Sequence, residues 1–356
     1  MMVTLHPIIA GDLAAIAAAP LPWSRLAGKT VLITGAAGFL PAYMVQTILH
    51  LNSTQGLDCR VVGLVRNLGK AQQRFAHYAQ RSDLLLLQGD VAQEQAWPEP
   101  AHFIVHAASQ ASPKYYGADP VGTMGANLLG TFHLLNRARA WQSEGFLFFS
   151  SGEVYGRVAP DKVPTGEADY GWLELTDPRS CYAESKRAAE TLGVSHARQF
   201  GTPFASVRPF HTYGPCMALD DGRVYADLVR DVVKGRDLML HSDGTAVRAF
   251  CYLADAVAGF FTVLLKGTAG TAYNVGNPAG ALSIRGLADL LAGLGQGSPL
   301  KVTCTGRPTA GYLPSPIPVN VPDVTRLRAL GWQPSWEPKD GFARTVAYFQ
   351  NHESAA

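Results

Sequence analysis

The sequence predicts an α/β protein: a parallel sheet flanked by helices, followed by a smaller C-terminal α/β domain that takes the substrate. Three observations predict it. Apolar runs of four to eight residues alternate with helical stretches through the first two hundred positions, which calls for parallel strands covered on both faces. The first run leads directly into glycines that open a helix. After Ser150 the loops lengthen, and from the 214–223 loop to about residue 320 short strands mix with helices.

Residues 1–29 read as an N-terminal extension, a short helix and a connector closing at Gly28-Lys29. Thr30 to Thr34 is a buried strand, and the helix behind its glycines continues to about Leu51. Cys59 to Val65 is the next strand, Ala71 to Arg81 a helix, and Leu84 to Leu87 and Phe103 to His106 are two further strands. Pro120 to Trp141 is a long helix, Phe146 to Ser150 a strand, Arg179 to Gln199 a helix and Phe204 to Pro209 a strand. The dinucleotide-type domain is therefore expected mainly over 30–210, with its crevice beyond the carboxyl ends of the strands. Residues 211–322 are expected to form most of the substrate domain, with interleaved segments. There Gly214 to Arg223 is a loop, Ala254 to Leu265 and Ser283 to Leu294 are helices, Thr271 to Val275 is a strand and Gly306 to Pro322 is a loop. Asp323 to Leu330 and Gly341 to Tyr348 are closing helices within 323–356.

A chain of 356 residues with 47% hydrophobic and 16% charged residues can bury a sizeable core, which excludes disorder, collagen and coiled coil. Thirty Lys plus Arg against 28 Asp plus Glu leave a net charge of +2, scattered along the chain, so no nucleic-acid surface is expected. The five cysteines lie far apart without a CxxC pair, which argues against a disulfide framework or a zinc site and fits a reducing compartment. Ile8 to Pro22 contains Asp12 and prolines, has no Lys or Arg before it and is too short to span a bilayer. The expectation is a cytoplasmic protein with no membrane partner and no metal.

Gly35-Ala36-Ala37-Gly38-Phe39-Leu40 has the placement of a Rossmann-type phosphate loop. Gly35 permits the tight turn, and Gly38 lets the backbone approach a pyrophosphate held by free N–H groups at the helix start. Asp90 is a candidate acceptor for the adenine amino group, or else a turn or cap aspartate. The second strand ends in Val65-Arg66-Asn67 rather than in the carboxylate expected to hold a ribose 2′-hydroxyl. NAD is the expected cofactor, and Arg66 leaves NADP open.

Tyr182 and Lys186 are four apart on one helix and share a face. An ammonium beside a phenol is expected to lower its pKa, making Tyr182 a base for a sugar hydroxyl during hydride transfer. Phe148-Phe149-Ser150-Ser151-Gly152-Glu153 brings an apolar strand to a hydroxyl and a carboxylate: Ser151 to bond the reacting hydroxyl, Glu153 as a second acid/base or a cap. Arg208-Pro209-Phe210-His211-Thr212-Tyr213-Gly214-Pro215 is a strand end able to touch nicotinamide and substrate, and Arg248 is placed to hold a phosphate or carboxylate unless it is a surface arginine.

With TGAAGFLP, SGEVYG, YAESK and RPFHTYGP together, residues 29 to 345 resemble the extended short-chain dehydrogenase/reductase family that acts on nucleotide-linked sugars. The resemblance implies Ser151, Tyr182 and Lys186 as the catalytic triad and Gly35, Gly38, Phe39, Leu40, Val91 and Ala107 around the dinucleotide. It places Asn127 as the asparagine that supports the central helices, and it implies a homodimer. Within the family the pattern is most similar to UDP-glucuronate decarboxylases, through Ala111-Ser112-Pro113 with Tyr116, Pro178 to Tyr182, Asp221 to Val224 and Asp243 to Tyr252. That similarity implies Ser112, Tyr116, Gly152, His211, Arg223 and Arg248 at a UDP-linked substrate. Four positions depart from it: Gly152 replaces a serine or aspartate, His211 an asparagine, Pro41 the third glycine and Asn320 an arginine.

The expected chemistry is oxidation at C4 followed by loss of CO₂ from a UDP-hexuronic acid and re-reduction. The 4-epimerase and 4,6-dehydratase outcomes stay open, although loss of the dehydratase aspartate at Gly152 removes a proton donor for the C6 hydroxyl. So do a non-catalytic nucleotide-binding protein and an unrelated Rossmann oxidoreductase.

Overall fold

The computed structural model describes residues 5–295, 300–305 and 317–353. Seven strands form one parallel sheet: β1 (Thr30–Thr34), β2 (Arg60–Val65), β3 (Leu84–Gln88), β4 (Phe103–His106), β5 (Gly145–Phe149), β6 (Phe204–Pro209) and β10 (Thr271–Val275). Their order is β10-β6-β5-β4-β1-β2-β3. The chain winds outward from β1 to β3 and returns to β4 on the other side of β1. The switch point therefore falls between β1 and β4, and a ligand crevice belongs beyond their carboxyl ends.

Alternate residues of β1 feed two apolar layers. Val31 and Ile33 pack with α2 (Phe39–Gln55) and α8 (Leu253–Lys266), while Leu32 packs with α5 (Pro120–Trp141) and α6 (Ser180–Phe200). The N-terminal helix α1 (Pro7–Ala17) lies on α2 and α8, and its fully buried Asp12 accepts from Tyr43 Oη of α2 at 3.3 Å, from Tyr252 Oη at 2.8 Å and from Arg344 Nη2 at 2.6 Å.

The second region is built on β9 (Val247–Tyr252), which pairs with β7 (His211–Tyr213), β11 (Ala281–Ser283) and β13 (Val319–Asn320). β8 (Leu238–Leu240) and β12 (Val302–Cys304) form a separate pair. Helices α7 (Val224–Val233) and α9 (Ile284–Ala292) bury one face each here, and α11 (Pro338–Glu353) stacks Phe342 on Tyr213 at 3.7 Å. Among the described residues no helix is long and apolar enough to cross a membrane.

The sequence expectation differs from the structure in three places. The helix expected over 71–81 is α3 (Leu68–Arg74), followed by a 3₁₀ turn at Ala76–Tyr78. Its start is fixed by the Asn67 side chain, which accepts the Lys70 N–H at 2.9 Å, and the helix stops where Phe75 turns into the core. The loop expected over 306–322 lies partly outside the described residues, and within it Val319–Asn320 forms β13 because the Val247 N–H reaches the Pro318 carbonyl at 2.8 Å. The helix expected over 323–330 is the single turn α10 (Thr325–Arg328), opened by Asp323 accepting the Thr325 N–H at 2.8 Å.

Candidate active site

A cleft of about 990 Å³ opens at the switch point and runs from the β1–α2 loop to the β9 sheet. At one end Gly35 has φ +65°, and a Cβ there would come within 2.8 Å of the Ala108 Cα, so the loop sits against the turn after β4 as only glycine permits. Gly38 is the N-cap of α2, with no side chain on its first-turn donors. The Phe39 and Leu40 N–H groups therefore remain for an anion, while Pro41, third in the helix, has none to give. This uncapped cradle fits a pyrophosphate. Arg66, Asp90, Val91 and Ala107 line the same end. The Asp90 Oδ1 accepts the Ala92 N–H at 2.9 Å, so this oxygen already serves the turn.

At the centre, α6 presents Tyr182 and Lys186, both buried. The Lys186 Nζ donates to the Phe149 carbonyl at 2.5 Å and lies 5.7 Å from the Tyr182 ring centroid. Burial pulls Lys186 down to about 7, with Glu190 acting in the opposite direction. Burial also raises the Tyr182 phenol, against the opposing Ser151 hydrogen bond and the Arg223 charge, while Glu153 adds to the rise. The lowered phenol expected from YxxxK is thus corrected: desolvation outweighs the Ser151 hydrogen bond and the Arg223 charge. Tyr116 stacks on Tyr182 at 5.0 Å and 17°, its hydroxyl anchored to the Ala111 carbonyl at 3.0 Å. Asn127 joins the two central helices through its Nδ2, 2.9 Å from the Ser185 Oγ.

The Ser151 Oγ accepts the Glu153 N–H at 3.2 Å and so caps the short turn Gly152–Tyr155 while facing the cleft. A Cβ on Gly152 would meet the Phe210 ring at 3.3 Å, so that ring occupies part of the space a larger residue would need. Glu153 faces Arg179, Nη2 to Oε2 3.8 Å. Arg179 is the N-cap of α6, three residues before Tyr182, and this spacing was the signal available for a cleft residue that sequence reading did not single out. Tyr225 and Lys70 were missed likewise, whereas Phe210 and Thr212 belong to the strand end after Arg208 that was expected at the cleft.

On the far wall are His211, Arg223, Arg248 and Asn320. His211 is held well below the ordinary histidine value by burial, then by the charges of Arg248 and Arg223, so it is a neutral ring. Its Nδ1 is buried without a partner. Arg223 donates to the Ala111 carbonyl at 2.8 Å and to Tyr225 Oη at 3.1 Å. Arg248 is buried, with Nη1 on the Val247 and Pro318 carbonyls at 2.8 and 3.3 Å.

Two expected positions move. Ser112 does not line the cleft: its Oγ donates to the Asp221 carbonyl at 2.5 Å and ties the chain entering α4 (Pro113–Ala118) to the 214–223 loop. Arg208, at the start of RPFH, turns away into a buried pair with Glu190, at 2.9 Å (Nε–Oε1) and 2.6 Å (Nη2–Oε2).

Residues 31–276 match the family model described as Epimerase, NAD dependent epimerase/dehydratase family. The chain belongs to this family. Two relatives of this epimerase/dehydratase chain are UDP-glucuronic acid decarboxylases. The Arabidopsis thaliana decarboxylase 6 is 32% identical over 316 residues, covering 87% of this chain and 86% of that protein. The Xenopus tropicalis decarboxylase 1 is 30% identical over 329 residues, covering 90% and 72%. Among solved structures, the Thermus thermophilus UDP-glucose 4-epimerase complex with NAD superposes with a TM-score of 0.72 at 27% identity, covering 90% of this chain and 99% of that one.

Proposed function

We propose that the chain modifies a UDP-linked sugar through a transient 4-keto intermediate, with decarboxylation of a UDP-hexuronic acid such as UDP-glucuronate as its reaction. The observation that carries this reading is the convergence of Ser151, Glu153, Tyr182 and Arg248 on one cleft with the Gly35–Gly38 cradle. The names of the two relatives, both UDP-glucuronic acid decarboxylases, support the substrate.

The Gly35–Leu40 cradle would hold a nicotinamide dinucleotide, which would supply reversible hydride transfer at C4. The Tyr182 oxygen takes the C4 hydroxyl proton while the Ser151 hydroxyl holds that oxygen in place. Lys186 stabilises the phenolate that the proton transfer requires. Arg248 pairs with the C6 carboxylate. As the C5–C6 bond breaks, its electron pair passes into the C4 carbonyl as an enolate, and Glu153 delivers the proton to C5 before C4 is reduced again. Mixing the enzyme with carboxyl-labelled UDP-glucuronate, and following absorbance at 340 nm and labelled CO₂, tests this sequence.

A second reading, 4-epimerisation, is favoured by Gly152, which leaves the turn before Glu153 without the side chain of the decarboxylase pattern. The UDP-glucose 4-epimerase named among the solved structures is compatible with it.

A further inference from the structure

We infer that the adenosine end of the cleft selects a dinucleotide carrying a 2′-phosphate, with Arg66 and Lys70 as the residues that read it. The inference rests on the dinucleotide reading of the cleft and concerns its ribose subsite. Where β2 ends, a dinucleotide fold that prefers the unphosphorylated ribose needs a carboxylate to accept from the 2′-hydroxyl, and one that prefers the phosphorylated ribose needs an arginine nearby. Here β2 ends at Val65 and Arg66 is the next residue, lining the cleft.

Lys70 lines the same end from the first turn of α3. Its position relative to Arg66 is fixed by the backbone. Asn67, between them, caps the helix by accepting the Lys70 N–H at 2.9 Å, and the Arg66 carbonyl accepts Gln88 Nε2 at 3.4 Å. Two cations on flexible stems thus stand at either side of a pinned turn and face the same opening. Both are exposed, so neither carries the desolvation cost of a buried charge before a ligand arrives.

The carboxylates bordering this end, Asp90 and Asp119, belong to other turns, and the Asp119 charge is itself felt by Arg66. Asp90 Oδ1 accepts the Ala92 N–H at 2.9 Å, and Asp119 accepts from Gln110 Nε2 at 2.7 Å and from the Gly122 N–H at 3.0 Å. Neither lies on β2, where the ribose-reading carboxylate is required. A phosphate dianion meeting a planar guanidinium and an ammonium gains charge-assisted hydrogen bonds that a 2′-hydroxyl does not.

Equilibrium titration of the full chain with NADPH and NADH, followed by reduced-nicotinamide fluorescence, tests this without any turnover. 2′,5′-ADP and ADP serve as competitors that lack the nicotinamide. The expected result is NADPH binding about tenfold or more tighter than NADH, with 2′,5′-ADP the better competitor by a similar factor. Arg66→Ala should weaken NADPH by about tenfold and Lys70→Ala by about threefold, each leaving NADH nearly unchanged, and added salt should narrow the preference. Equal or tighter binding of NADH, or variants that weaken both dinucleotides alike, would overturn the inference. Failure of a folded chain to bind either dinucleotide would instead overturn the redox reading beneath it.

Discussion

The ring of Tyr116 lies nearly parallel to that of Tyr182, 5.0 Å between centroids. Tyr116 is itself buried and anchored through its hydroxyl, so it holds the phenol of Tyr182 in one orientation toward the cleft. Burial is the main cause that raises the phenol. Tyr182→Phe keeps the stack and removes only the oxygen. It should abolish reduction of bound cofactor at 340 nm while nucleotide-sugar affinity stays within about tenfold. Wild-type-like reduction in the variant would remove Tyr182 from the chemistry.

Lys186 gives a pH signature. Its folded-state value is lowered to about 7 from an ordinary 10.5, so the folded chain binds fewer protons than the unfolded chain between those values. Stability from this residue is fully present above 10.5 and is lost as pH falls to about 7. Lys186→Met, which has no proton to bind, should therefore gain in Tm over wild type as pH is lowered from about 10 to about 7. A difference in Tm that does not change with pH would show that the buried ammonium is fully compensated.

The Arg208–Glu190 pair is bidentate and buried, and Arg208 Nη1 also donates to Tyr155 Oη at 2.9 Å and the Glu167 carbonyl at 3.0 Å. Glu190→Gln leaves the guanidinium without its counter-charge and should cost about 3 to 5 kcal/mol in denaturant unfolding. A loss below about 1 kcal/mol would mean that the pair is solvated in solution.

Arg248→Ala should separate carboxylate recognition from general binding. The loss in kcat/KM expected for UDP-glucuronate is about 2 to 5 kcal/mol, the range for removing one partner of a buried charge pair, with a much smaller effect on cofactor reduction by UDP-glucose. Equal losses for both sugars would move Arg248 to the nucleotide phosphates.

Much of this arrangement was legible in the chain because local rules and tertiary demands agree there. The apolar run at Thr30–Thr34, its glycines and the Tyr182–Lys186 spacing each specify one geometry, and the structure has it. Ser112 could not be placed, because its hydroxyl is taken by a carbonyl 109 residues away and no local pattern encodes that. The phenol of Tyr182 was misjudged because sequence spacing reports charge proximity and not the depth of burial that outweighs it. Arg179 lies inside the Pro178–Tyr182 match but was given no role there, because its pairing with Glu153 is a tertiary contact that sequence spacing does not report.

The proposed reaction is tested most directly by rapid mixing of the wild-type chain, loaded with oxidised dinucleotide, with carboxyl-labelled UDP-glucuronate. The prediction is a transient rise at 340 nm, labelled CO₂ released in step with its decay, and a UDP-pentose as product. Reduction without CO₂, returning the C4 epimer, would contradict decarboxylation and point to Gly152. No change at 340 nm with UDP-glucuronate would contradict the substrate assignment itself.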